Sequence, residues 1–187
     1  MPKAAFIYSD ALAHHVLRED HPLQAKRLRM TSELLQAYRA FEHPDALLVE
    51  PRPATIDELL RVHSPEYIKA VESISKGEER YDPARFNFSL YGDNPYYPGM
   101  YEASLLSTGA TMTAAGLVLQ GDTPIAFSIS GGLHHAARDH ASGFCVFNDP
   151  AVAIAWLVEQ GLRVAYVDID AHHGDGVQNA FSTPTVS

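Results

Sequence analysis

Two clusters in the sequence carry side chains able to do chemistry. In Val167-Asp168-Ile169-Asp170-Ala171-His172 the carboxylates and the imidazole fall at every second position. An extended backbone with that spacing points Asp168, Asp170 and His172 to one side. Two carboxylates held so close in a poorly solvated place force one to protonate, and a divalent cation removes the conflict. Asp170 and His172 offer an oxygen and a nitrogen together, which suits zinc or another borderline first-row ion such as Fe2+ or Mn2+. A catalytic zinc takes three protein ligands and keeps one position open, and two ligands are visible here. The alternative is that the two aspartates cap the following turn and that the histidines sit on the surface of a Gly-rich loop. The longer string, on through His173-Gly174-Asp175-Gly176, is far more restrictive than Asp-x-His alone.

The second cluster, Ser130-Gly131-Gly132-Leu133-His134-His135, places adjacent histidines after a glycine pair that lets backbone approach a ligand. Adjacent imidazoles can work as a paired acid–base device, or be polar loop residues only. Asp168 and Asp175 can each take one ring N–H, fixing its tautomer and raising its basicity. Cys145 has no basic neighbour in sequence to make it a thiolate and reads as a small packing residue.

The elements that must position these groups follow from composition and pattern. The chain has 187 residues, 46% of them hydrophobic and 20% charged, the make-up of one globular domain with a sizeable core. A formal charge of −9 argues against a nucleic-acid binder and leans weakly toward a cationic substrate. One cysteine rules out an internal disulfide and a Cys-rich metal site. The short apolar run Ala4 to Tyr8, ended by Asp10, is too brief for a signal segment or a membrane span, so a cytoplasmic protein without a membrane role is expected.

Ala4 to Tyr8 reads as a strand, and Leu34, Leu35, Tyr38 and Phe41 recur at helical spacing in a segment beginning near Leu23. Leu47 to Glu50 reads as a second strand, followed by a capping box at Thr55 to Glu58 and a helix from Ser64-Pro65 to Lys76-Gly77. The aromatic, proline-rich stretch from Gly77 to Gly99 has no sustained period and reads as a functional loop. Then come a helix from Met100 to Gln120, a strand from Pro124 to Ser130, a helix from Pro150 to Gln160 with Asp149 as N-cap, and a strand from Arg163 to Asp170. Alternating strands and helices predict an α/β fold: a mostly parallel sheet with helices on both faces and ligands at the carboxyl ends of the strands.

The strings Gly132-Leu133-His134-His135-Ala136, Ser142 to Asp149 and Asp168 to Gly176 resemble the class I/II histone deacetylase superfamily, and look most like bacterial acetoin-utilisation-type deacetylases. The likeness extends to Asp20-His21-Pro22, Arg27 to Met30, Val62 to Tyr67, Gly92 to Pro95 and Pro98 to Glu102, nearly the whole chain. It implies the three-layer arginase/deacetylase fold and hydrolysis of an acetyl-amine amide, on acetyl-lysine in protein or a small acetylated amine such as an acetylpolyamine. An arginase-like ureohydrolase with two manganese ions is the rival of the same fold.

By the same likeness Asp170 and His172 are zinc ligands. His134 and His135 are the catalytic pair, His135 the general base and then acid supported by Asp175, and His134 paired with Asp168. Gly143 and Phe144 line an acyl-lysine tunnel, Asp93 grips the substrate backbone, and Arg27 sits by an inner acetate pocket. Potassium is implied behind the zinc, at Asp168, Asp170, His172 and Ser187. The family's third zinc ligand, an aspartate, and its transition-state tyrosine lie far downstream. Residues 1–187 are therefore expected to form the N-terminal half of one deacetylase-like domain, inactive by itself or completed by an oligomer or a complementary C-terminal half.

Overall fold

The computed structural model describes residues 2–14 and 17–182. Three parallel strands make an open sheet in the order β2-β1-β3: β1 (Ala4–Ile7), β2 (Ala46–Val49) and β3 (Ala126–Ser128). β1 pairs in register with β2 from Ala4↔Ala46 to Ile7↔Val49, and with β3 from Ala5↔Ala126 to Ile7↔Ser128. Its alternate residues serve two faces, as the pleat requires. Ala5 and Ile7 bury against Ala110 and Ala114 of α4 (Met100–Gln120). Phe6 and Tyr8 face the other way, in a cluster with Leu12 and with Leu28 of α1 (Lys26–Ala37). Helices thus cover both faces, and α4 is stopped by Gly121 in the left-handed conformation.

The larger core lies among α3 (Pro65–Ser75), α4 and α5 (Asp149–Glu159). α2 (Ile56–Leu59) begins on the expected capping box, with Thr55 and Glu58 each accepting from the other's backbone N–H. The Gly77 to Gly99 stretch is anchored to this core by Phe86 and Phe88, with Tyr81, Tyr96 and Tyr97 packed against it, while Leu90 and Tyr91 stay exposed. A 3-10 turn at Pro83–Phe86 is capped by Asp82, and Phe86 and Phe88 are buried against Tyr67. Burying each ring stabilises the fold by roughly 2 kcal/mol, which is why a stretch without helix or strand periodicity is still ordered.

Several expectations are corrected. α1 starts at Lys26 and buries Leu28 and Ser32, while Leu34 and Tyr38 are 56% and 78% exposed. The regular spacing there marks an outer face. The strand expected over Pro124 to Ser130 pairs only at Ala126–Ser128. Arg163 to Asp170 forms no strand, and Val167 and Ile169 are 79% and 95% exposed. A strand needs a ladder partner, and strand propensity alone does not supply one. A cleft of about 610 Å³ opens between this segment, α4 and α5. The N-cap of α5 is Asn148, and Asp149 is its first helical residue. A further helix, α6 (Asp175–Phe181), follows the Asp-x-His string. Among the described residues no helix is long and apolar enough to cross a membrane.

α4 lies so close to the chain before α2 that a Cβ on Gly109 would stand 1.8 Å from the Arg52 carbonyl oxygen and 2.6 Å from the Ala54 nitrogen. Backbone cannot swing aside as a side chain can. Gly109→Ala is expected to cost about 3 kcal/mol or more, read as a lowered urea midpoint. An unchanged midpoint would mean that the helix does not pack this closely.

Candidate active site

The segment Gly131 to Ala136 leaves the carboxyl end of β3 and brings both histidines to the open edge of the sheet, against the loop that leads into α6. His134 Nδ1–H donates to Asp168 Oδ2 at 2.6 Å, and His135 Nδ1–H donates to Asp175 Oδ1 at 2.7 Å. These bonds fix both tautomers and turn the two Nε2 atoms toward each other at 3.2 Å, where they can share one proton. His134 is 7% exposed, and its neighbour stays partly accessible. The bond from the Tyr166 hydroxyl and then that from His134 hold Asp168 well below the ordinary carboxylate range. Burial works against ionisation of Asp175, yet the bonds from His135 and the Gly176 N–H keep it low as well. Both carboxylates are therefore ionised acceptors at neutral pH.

Asp170 and His172 also meet. Asp170 Oδ1 accepts the His172 backbone N–H at 2.7 Å and stands 2.9 Å from His172 Nδ1. The backbone bond, and then the ring contact, lower the Asp170 carboxyl. The ring of His172 lies 6.0 Å from that of His135, centroid to centroid. A turn produces this convergence where a strand was expected, with Asp168 Oδ1 accepting the Asp170 N–H at 3.0 Å. A carboxylate oxygen and an imidazole nitrogen this close match two neighbouring ligands of one ion with bonds near 2.0–2.2 Å. The donor set fits zinc and is incomplete: among the described residues, no His, Cys, Asp or Glu group of three is placed to hold a metal. Ser187, expected at a potassium site with Asp168, Asp170 and His172, lies outside the described residues.

Of the residues expected to meet substrate, Gly143 packs directly on the pair. Gly143 has φ +51 and packs flat on His135, whose Cδ2 atom would be 2.3 Å from any added Cβ. Phe144, at φ 71, stacks edge-on against buried His21, and its N–H donates to Asn94 Oδ1 at 2.9 Å. Asp93 is exposed, its carbonyl accepting from His21 Nε2–H at 3.2 Å, and it lines a cleft with Ser142 and Gly143. Arg27 and Phe144 line a separate cavity of about 80 Å³ with Leu133 and Ser130. Cys145 is buried, and burial pushes its thiol up to about 12, so it is no nucleophile at neutral pH.

Sequence reasoning did not single out Asn148, Asp149 and His63 as parts of the site. Asp149 is fully buried and accepts from Thr111 Oγ1 and from the N–H groups of Gly132 and Leu133 at 2.5, 3.0 and 2.8 Å. Burial pushes its carboxyl up against those three donors. His63 Nδ1–H donates to the Ala137 carbonyl at 2.9 Å, and burial lowers the ring to about 4. A buried polar residue beside a motif is the signal that could have found them, but burial is not readable from type alone.

His63 makes stability depend on pH. With its folded value near 4 and its unfolded value near 6.5, the unfolded chain takes the proton first as pH falls. The contribution is therefore intact above about pH 6.5 and drains away toward pH 4, by roughly 3 kcal/mol in all. Urea unfolding between pH 7 and 4.5 should show a steeper loss in the wild type than in His63→Phe. Equal slopes would remove His63 as the cause.

The fold and this constellation define a deacetylase-type α/β domain, and comparison with known proteins agrees. The histone deacetylase domain family matches residues 21–186, and the chain belongs to that family. It is 42% identical over 186 residues to acetoin utilization protein AcuC of Bacillus subtilis, covering 97% of this chain and 46% of that protein. It is 36% identical over 182 residues to human histone deacetylase 1, covering 97% of this chain and 37% of that protein. The crystal structure of an HDAC homolog from Aquifex aeolicus superposes with a TM-score of 0.86 at 35% identity, over 96% of this chain and 48% of that one. An HDAC homolog complexed with SAHA gives 0.85 at 34%, over 97% and 48%. The chain spans about half the length of the relatives it matches.

Proposed function

We propose that this chain contributes the proton-transfer pair and two metal ligands of a zinc-dependent amide hydrolase that frees acetate from acetyl-lysine in proteins. The observation that carries this reading is the pair of imidazoles, each bonded to its own carboxylate, with their Nε2 atoms 3.2 Å apart. Membership of the histone deacetylase domain family supports it. Zinc held by Asp170 and His172 would supply Lewis acidity for the acetyl carbonyl and lower the pKa of the attacking water. Potassium beside Asp168, Asp170 and His172 belongs to the same reading.

The chain's own residues do the rest. His135 Nε2 takes the proton of the attacking water and later hands it to the departing amine, with Asp175 holding the ring and its positive charge. His134, held by Asp168, supports the charge that passes to its neighbour. Gly143 leaves room beside His135 for an extended acyl-lysine stem, and Phe144 walls it. The exposed carboxylate of Asp93 meets substrate at the mouth. The Arg27 guanidinium beside the inner cavity suits the acetate product. Exposed Ile125, Phe127, Val167 and Ile169 support a complementary C-terminal half, with the third ligand, as the cover of this edge. In this reading the protein works in the cytoplasm.

The experiment offers the zinc-supplemented protein three substrates: an acetyl-lysine peptide, N-acetylputrescine and arginine. Acetate released chiefly from the peptide is the expected result. Preference for N-acetylputrescine would make it an acetylpolyamine amidohydrolase, for which the negative mouth at Asp93 is equally suited. Urea from arginine would overturn the deacetylase reading, and no product from any of the three would leave an inactive fragment.

A further inference from the structure

Resting on the reading of His134 and His135 as the proton-transfer pair, we infer that Asn148 is a positioning residue that sets both imidazoles in register with their carboxylates. Its side chain is fully buried and spends both amide hydrogens on the backbone of the pair. Nδ2 donates to the carbonyl of His134 at 3.2 Å and to that of Ala136 at 2.9 Å, the two carbonyls on either side of His135. The His134 carbonyl also accepts the Val177 N–H at 3.2 Å, from the first turn of α6. That turn begins with Asp175, the partner of the His135 ring. One carbonyl therefore joins the backbone carrying the histidines, the helix carrying the carboxylate of one of them, and Asn148 at the start of α5.

The junction has no slack. A Cβ on Gly176 would stand 2.5 Å from both the His134 and the Ala136 carbonyl oxygens and 2.6 Å from Asn148 Nδ2. Asn148 is itself anchored, its N–H donating to His63 Nε2 at 3.0 Å while the other face of that ring donates to Ala137. Asp149, next in the chain, holds the N–H groups of Gly132 and Leu133 just before the pair. Consecutive side chains of α5 thus grip the histidine segment on both sides.

Asn148 also caps α5, its Oδ1 accepting the Ala151 N–H at 3.0 Å. Capping needs only an oxygen, and serine or aspartate serves nearly as well as asparagine. The two amide hydrogens are free of that task, so the two roles can be separated. Asn148→Asp keeps a capping oxygen and loses both donors to the histidine backbone. Asn148→Ser keeps a capping oxygen with one hydroxyl hydrogen, on a shorter side chain, in place of the two amide hydrogens that bridge the His134 and Ala136 carbonyls.

The test uses the 187-residue chain with 15N-labelled histidine and reads the imidazole N–H signals of His134 and His135, assigned with His134→Ala and His135→Ala. Thermal melts are recorded for each variant. In the wild type these hydrogens, bonded to Asp168 and Asp175, should exchange slowly. A variant that still melts cooperatively should lose the signals or exchange them about ten-fold faster, as expected when a buried hydrogen bond loosens. Wild-type signals and exchange in either folded variant would reduce Asn148 to a helix cap and overturn the inference. So would failure of both variants to melt cooperatively, since Asn148 would then serve the fold. Acetyl-peptide hydrolysis by the wild type is followed separately. If that activity is absent while the ring signals still respond to Asn148, the deacetylase reading falls and the positioning role stands.

Discussion

His135→Ala is expected to lower acetate release from an acetyl-lysine peptide by about 10²–10⁴-fold, the range over which a positioned general acid–base group contributes. The loss should fall on kcat, because the Nε2 atom acts on water and leaving group and the ring holds little of the substrate. Asp175→Asn should lie between this variant and the wild type, since it keeps the shape beside His135 Nδ1 and removes the charge that supports the imidazolium. Rates for the three proteins at saturating peptide, with the zinc content of each verified, check the order. A His135→Ala protein that hydrolyses at the wild-type rate would take the proton-transfer role away from this residue.

Gly143→Ala is expected to be nearly as damaging to activity, by a different route. The methyl would stand 2.3 Å from His135 Cδ2, and the residue sits at φ +51. The ring must move, and misplacing a catalytic group by about 1 Å can cost on the order of 10²-fold in rate. The left-handed backbone adds roughly 1–2 kcal/mol of instability. Gly121→Ala separates the two effects. At φ +78 it bears similar backbone strain, and nothing lies within 4 Å of its added methyl. It should lose stability and keep its rate. Equal rates in the two variants would show that contact with His135 does not matter.

The sequence carried much of this because the relevant signals are local. Thr55 with Glu58, Ser64-Pro65 and Gly121 mark helix ends through hydrogen bonds and backbone angles that involve only their neighbours, and the helices lie there. That Asp168 and Asp175 would each take one imidazole N–H was also legible from residue types, and which carboxylate holds which ring came from the family resemblance. What failed depended on partners distant in the chain. Arg163 to Asp170 has the apolar content of a buried strand, but no ladder partner lies beside it among the described residues, and Ile169 stays in solvent. Asp149 and Asn148 are both good caps by type. The cap fell to Asn148 because Asp149 faces inward, onto the N–H groups of Gly132 and Leu133. The spacing of Leu34 and Tyr38 gave a helix, and both side chains are exposed, since periodicity alone does not say which side meets the sheet. His63 lies in one of the strings that carry the family likeness, but its role comes from a burial that a single sequence does not display.

The claim at the centre is that Asp170 and His172 form one metal site beside, and separate from, the histidine pair. Calorimetric titration of the protein with Zn2+ tests it most directly, with Asp170→Ala, His172→Ala and His135→Ala run alongside. One weakly held zinc per chain, as two protein ligands with water in the remaining positions allow, is predicted for the wild type and for His135→Ala, with binding lost in Asp170→Ala and in His172→Ala. Zinc bound as well by Asp170→Ala as by the wild type, or lost from His135→Ala alone, would contradict it.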